Sequence, residues 1–149
     1  MMYVPFHKYF PEIAENETRC LTLFNDPKLP AGSYGLFESY CSEPGCDCRR
    51  VFLSITSVEM KQILTVIAFG WESEQFYAEW MGDNDLESIK GLKGPCFNLS
   101  SPQSKLAPVL LEYVKNILED KQYVNRIKRH YRLFKKAIES ESVEKNYQR

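Results

Sequence analysis

Histidine is scarce in this sequence: only His7 and His130 occur in 149 residues. That leaves too few imidazoles for a site of several histidines, such as a three-histidine catalytic zinc. Also missing are a glycine-rich phosphate loop, the G-x-S-x-G turn of serine hydrolases, an H-E-x-x-H pair and an EF-hand calcium loop. No apolar run approaches the roughly 20 residues that span a bilayer. The opening Met1 to Lys8 has no basic region leading into an apolar stretch, so it does not read as an export leader. The expected location is cytoplasmic, with no membrane partner. No repeat of solenoid length and no domain-sized linker is present.

What is present fits one globular domain over residues 1–149. The chain is 44% hydrophobic and 13% aromatic, and its net charge is only −1, so it lacks the low hydrophobicity and large charge that keep chains unfolded. Five cysteines stand at positions 20, 41, 46, 48 and 96. Without an export signal, thiols or metal ligands are the economical reading, and the odd count agrees.

Residues 1–17 show little periodicity and read as an N-terminal arm. Residues 18–70 read as antiparallel strands: Thr18 to Phe24, Tyr34 to Tyr40, Arg49 to Ser57 and Ile63 to Phe69 are rich in β-branched and aromatic residues. The middle pair flanks Ser42-Glu43-Pro44-Gly45 and predicts a hairpin. Leu36, Val51, Leu53 and Ile55 make one face apolar, so helices must cover it. Residues 71–99 read as irregular, with short helices near 74–81 and 86–92. Asp83, Asp85 and Glu87 there read as a polar helix start rather than a cation site.

Residues 100–138 predict two helices. Ser100, Ser101, Pro102 and Gln103 form a start signal, and Leu106, Leu110, Tyr113 and Ile117 share a face. Pro108 sits awkwardly in that pattern, so the helix either begins later or bends. Val124, Ile127, Tyr131, Phe134 and Ile138 mark the stripe of the last helix, and 139–149 reads as a polar, fraying tail. The expected fold class is α+β: a mainly antiparallel sheet of about four strands, packed by two C-terminal helices and carrying a cysteine-cluster hairpin.

The chemistry concentrates in Cys41-Ser-Glu-Pro-Gly-Cys46-Asp-Cys48-Arg-Arg. Zinc takes soft or borderline ligands in a tetrahedron, and a tight turn gathers thiolates cheaply. The C-x4-C interval suits half of a structural site. The C-x-C half is less typical: Cys46 and Cys48 are expected to share a metal only if Asp47 sits in a bend or bulge. Arg49 and Arg50 favour thiolate, which helps metal binding and redox reactivity alike. A fourth ligand must come from elsewhere: His130 first, at the edge of the buried stripe, with Cys20, Cys96, His7 and Glu38 as alternatives. The competing reading of His130 is a packed, hydrogen-bonded side chain.

Lys121 to Lys136 holds seven Lys/Arg and no acid. Lys128, Arg129, Arg132, Lys135 and Lys136 form a basic face that either tracks a nucleic-acid backbone or is simply solvated, balancing an acidic remainder. The expected function is a zinc-stabilised binding or interaction module for an unknown macromolecule, protein or nucleic acid, with zinc structural. The alternatives are an enzyme, either a metal-dependent hydrolase or a thiol redox protein using Cys46 and Cys48, and a nucleic-acid binder using the basic helix. The cysteine segment, together with Arg129-His-Tyr-Arg-Leu-Phe-Lys135, resembles an uncharacterised prokaryotic family of small cysteine-cluster proteins. That resemblance implies a bacterial or archaeal source and carries no activity.

Overall fold

The structure, a computed structural model, describes residues 2–147. In chain order the elements are β1 (Tyr3–Pro5), α1 (Phe6–Tyr9), α2 (Pro11–Glu17), β2 (Arg19–Leu23), β3 (Gly32–Cys41), β4 (Arg50–Ser57), β5 (Gln62–Gly70), α3 (Glu74–Met81), α4 (Leu86–Lys93), β6 (Cys96–Phe97), α5 (Ala107–Ile117) and α6 (Lys121–Tyr147). The class is α+β, with helices at the C-terminal end. The sheet has six strands rather than about four, in the order β1-β3-β4-β5-β6 with β2 also on β3. Every pairing is antiparallel.

The two additional strands are short. β1 and β2 share one edge of β3, β2 along Gly32 to Leu36 and β1 along Ser39 to Cys41. β6 contributes two residues beside β5. Segments this short show no period of two in the sequence, so only their partners define them. The expected arm therefore belongs to the fold: β1 extends the sheet, while Phe6 and Ala14 of the two small helices enter the core.

Alternation sets the buried face. On β3, Tyr34, Leu36, Glu38 and Tyr40 point inward, and the register places Leu36 opposite Ile55 and Glu38 opposite Leu53. From the helices, Leu110 and Val114 of α5 and Tyr123, Ile127, Phe134 and Ile138 of α6 complete the core. Each such side chain contributes roughly 1.5–3 kcal/mol by leaving water. Helix α5 starts at Ala107, which puts Pro108 in the first turn, where its missing N–H costs nothing. Asp85 caps α4 by accepting from the Ser88 amide at 3.3 Å, so that acid group is a helix start.

Instead of fraying after Ile138, α6 stays helical to Tyr147; residues 148–149 of the expected tail lie outside the described residues. A Glu141–Lys145 pair at 3.5 Å and a hydrogen bond from Tyr9 Oη to Glu141 at 2.7 Å support that extension. No helix is long and apolar enough to cross a membrane.

Candidate metal centre

The segment between β3 and β4 leaves the ladder at Cys41 and rejoins it at Arg50. Pro44 and Gly45 make the turn the sequence predicts: Cys46 N donates to Glu43 O at 3.2 Å, and Gly45 has φ +78°. A type II turn needs that left-handed residue at its third position, which glycine supplies without strain. A second left-handed residue follows at Arg49, φ +51°, where no glycine relieves it. Between these two points lie Cys46 and Cys48. The Sγ atoms of Cys41, Cys46 and Cys48 all lie within 4.8 Å of one another, close enough to hold a metal ion.

Cys41 and Cys48 are fully buried, and Cys46 is partly exposed. Burial raises the Cys41 thiol above its ordinary range and pushes Cys48 up to about 11. Local donors work the other way. Glu43 N donates to Cys41 Sγ at 3.4 Å, the Lys135 ammonium acts on Cys41, and the Tyr3 hydroxyl lies 3.8 Å from Cys48 Sγ. Two of the three cysteines are shielded from solvent, and the groups around them favour sulfur anions.

His130 stands elsewhere. Its ring is buried beneath Phe6, stacked with centroids 4.4 Å apart. Nδ1 lies 2.8 Å from Glu38 Oε1 and Nε2 lies 3.0 Å from Glu17 Oε1, so both ring nitrogens are engaged by carboxylates. Glu38 also accepts from the Tyr40 hydroxyl, which makes it part of this knot. The other proposed fourth ligands are dispersed as well. Cys20 is exposed on β2, Cys96 Sγ donates to Gly91 O at 3.4 Å, and His7 sits edge-on to Phe37. Among the described residues, no further His, Cys, Asp or Glu ligand atom joins the three sulfurs within 4.8 Å.

Helix α6 nevertheless grips the hairpin, through other residues. Tyr131 Oη donates to Asp47 Oδ1 at 2.9 Å and accepts from Arg49 N at 3.2 Å. Lys135 Nζ donates to the carbonyls of Cys41 and Glu43 at 3.0 and 2.9 Å, and Glu139 accepts from Gly45 N at 2.6 Å. Positions 131, 135 and 139 lie one turn apart on one side of the helix. In the sequence, Tyr131 reads as part of an apolar stripe and as an aromatic beside the basic face, and Glu139 as tail, so their grip on the hairpin is hidden.

The basic face divides in the same way. Arg129 pairs with Glu17 at 2.6 Å, and Lys135 is spent on the hairpin carbonyls. Lys128, Arg132 and Lys136 have no hydrogen-bond or ion-pair partner among the described residues, and Lys128 and Arg132 line a concavity with Asp47, Arg49, Trp71 and Tyr131. Of these groups Glu17 and Trp71 carry no functional reading in the sequence, and Arg49 reads there only as a cation favouring thiolate. The chain matches no family model, no curated protein and no solved structure, so its own geometry carries the functional argument.

Proposed function

We propose that Cys41, Cys46 and Cys48 hold one zinc ion, and that the protein is a zinc-stabilised binding module in which the metal fixes the hairpin. The observation that carries this reading is the mutual approach of three sulfurs within 4.8 Å on a turn with no disulfide. In a tetrahedral site with Zn–S of about 2.3 Å, sulfurs stand roughly 3.8 Å apart, so only small side-chain adjustments are required. Three thiolates make a soft donor set suited to zinc. Lys135 and the Glu43 amide already face the sulfur that must lose its proton.

The fourth coordination position falls to water or to a group brought by a partner, on the side of Cys46. That thiol opens onto a concavity with Gly45, Tyr131, Arg132, Lys135 and Glu139. A zinc with three protein ligands is also the composition of a catalytic site, which keeps an enzyme as the second reading.

Zinc per chain, measured after purification without added metal, tests the proposal. About one equivalent is expected, falling to near zero in Cys41→Ser, Cys46→Ser and Cys48→Ser, while a folded His130→Gln variant retains it. Near-zero zinc in the wild type would sink the reading. Zinc lost from folded His130→Gln would return the histidine to the ligand set. A cobalt-substituted site whose visible spectrum shifts on adding a small thiol would speak for the open, enzyme-like form.

A further inference from the structure

The hairpin faces α6 across a groove. One part of about 370 Å³ is lined by Asp47, Arg49, Trp71, Lys128, Tyr131 and Arg132, with Glu72 at its edge. A second part, of about 280 Å³, shares Asp47, Tyr131 and Arg132 with the first and adds Cys46, Lys135 and Glu139, so the two are continuous. The combined size suits a small organic ligand.

Charge in this groove is unbalanced in a specific way. Its acids all have partners: Arg49 donates to Asp47 at 2.8 and 3.0 Å and lies 3.6 Å from Glu72, while Glu139 accepts from Gly45 N at 2.6 Å. Arg49, followed by the Tyr131 hydroxyl, holds the Asp47 carboxyl below its ordinary range. Lys128 and Arg132, one helical turn apart, have no partner among the described residues, although Arg126, Arg129 and Lys135 of the same helix are all engaged. The first part of the groove thus has three cations against two acids, and the cations without a partner among the described residues are Lys128 and Arg132.

The opposite wall is held in a costly conformation. Arg49 is a non-glycine residue at φ +51°, fixed because Tyr131 Oη accepts from its N–H and Tyr77 Oη donates to its carbonyl at 2.8 Å. Its guanidinium also lies 4.7 Å from the centre of the Phe76 ring. Strain over-determined by neighbours in this way concentrates at ligand sites. Beside it, the partly exposed Trp71 is braced edge-to-face by Tyr131 at 5.0 Å. A cationic pair facing a braced indole matches a phosphate attached to a planar ring.

We propose that this groove binds a nucleotide phosphate, with Lys128 and Arg132 taking the phosphate and Trp71 flanking the base. The ligand is either a free mononucleotide or one residue of a single strand. Lys128, Arg132 and Trp71 are not among the three cysteines, but the second part of the groove is also lined by Cys46, so the two sites are neighbours and are told apart by measuring zinc.

The test titrates the full chain, in a Trp80→Phe background so that Trp71 alone reports by fluorescence, with inorganic phosphate, adenosine monophosphate and a ten-residue oligothymidylate. Zinc content is measured on every sample, so that loss of the metal and loss of the groove are distinguishable. The nucleotide should bind more tightly than inorganic phosphate. Lys128→Gln/Arg132→Gln should weaken nucleotide binding at least tenfold with zinc unchanged, and Lys115→Gln, on α5, should do nothing. Trp71→Phe, followed by calorimetry, should weaken the nucleotide several-fold and leave inorganic phosphate unaffected. Tighter binding of the oligomer, with log affinity falling against log salt at a slope of roughly −1.4 for two phosphate contacts, assigns the strand; equal affinities assign the free nucleotide. Absence of binding at millimolar ligand, or binding untouched by the double variant or by Trp71→Phe, would overturn the proposal.

Discussion

Helix α6 meets the sheet at two polar places that are built on opposite plans. At the inner one, Glu38, His130 and Glu17 form a chain in which both imidazole nitrogens have carboxylate partners, with Tyr40 and Arg129 joined at its ends. At the outer one, three cysteine sulfurs approach one another without a disulfide, and the loop carrying them is held by Tyr131, Lys135 and Glu139. A buried polar group whose partners are complete needs nothing further, and it specifies how the elements dock. Three thiols gathered within 4.8 Å could hold a metal ion, which is the role proposed for them. The contrast separates a fastening of the fold from a cluster that could hold a metal ion.

The largest effect should come from removing the centre of the inner chain. His130→Ala leaves the Glu38 carboxyl buried among Tyr40, Leu53 and the helix with its main counter-charge gone. Breaking a buried pair in this way costs about 3–5 kcal/mol. Chemical denaturation should show that loss, and a cost under about 1 kcal/mol would mean the chain is not the fastening described. Glu38→Gln/His130→Gln, which removes both charges together, should recover part of it.

A smaller effect is expected at the outer contact. Tyr131→Phe keeps the ring that packs on Tyr40 and Trp71 but deletes the hydroxyl bridging Asp47 and Arg49. The stability cost should be about 1–2 kcal/mol, one charged hydrogen bond in size. Zinc affinity should fall with it, because the bend that gathers Cys46 and Cys48 loses its brace. An unchanged affinity in a zinc-competition titration would detach α6 from the metal centre.

Sequence legibility follows the same division. Strands β3, β4 and β5 and the short helix α3 can be read because their periods and caps are local: alternation on the strands, Ser73 and Gly82 at the helix ends. The turn at Pro44-Gly45 is legible for the same reason. β1 and β6 are not, since two or three residues define no period and their existence depends on a partner far along the chain. The placement of His130 shows the limit most clearly. Its position beside Ile127 and Phe134 correctly predicts burial, and Glu38 shares the inward parity of Leu36 and Tyr40, but nothing local says these two meet. Glu17, at the end of a helix with no sequence signal, supplies the third member. Local pattern gives the face a side chain occupies; only topology gives its partner.

The smallest expected effect is the pH dependence of the inner chain, and it follows from the charge state of one ring. Burial, the largest single influence on His130, favours the neutral form, but Glu38 and then Glu17 outweigh it and hold the imidazolium above its ordinary range. The groups facing the ring are Glu38 and Tyr40 from β3, Glu17 at the end of α2 and the adjacent Arg129, with Phe6 covering it. Folding therefore retains a proton that the unfolded chain releases near pH 6.5. The stabilisation is fully present below that value and is lost as pH rises through the folded one. On the acid side, Arg129 first and then His130 draw Glu17 down to about 2. Its contribution is present above the ordinary carboxylate range and disappears as pH falls through about 2. The denaturation midpoint should therefore be flat near pH 5–6.5 and decline above it. His130→Gln, which can still hydrogen-bond but cannot be charged, should lack the alkaline decline at equal zinc content. An identical decline in that variant would place the titrating group elsewhere and leave the inner chain uncharged.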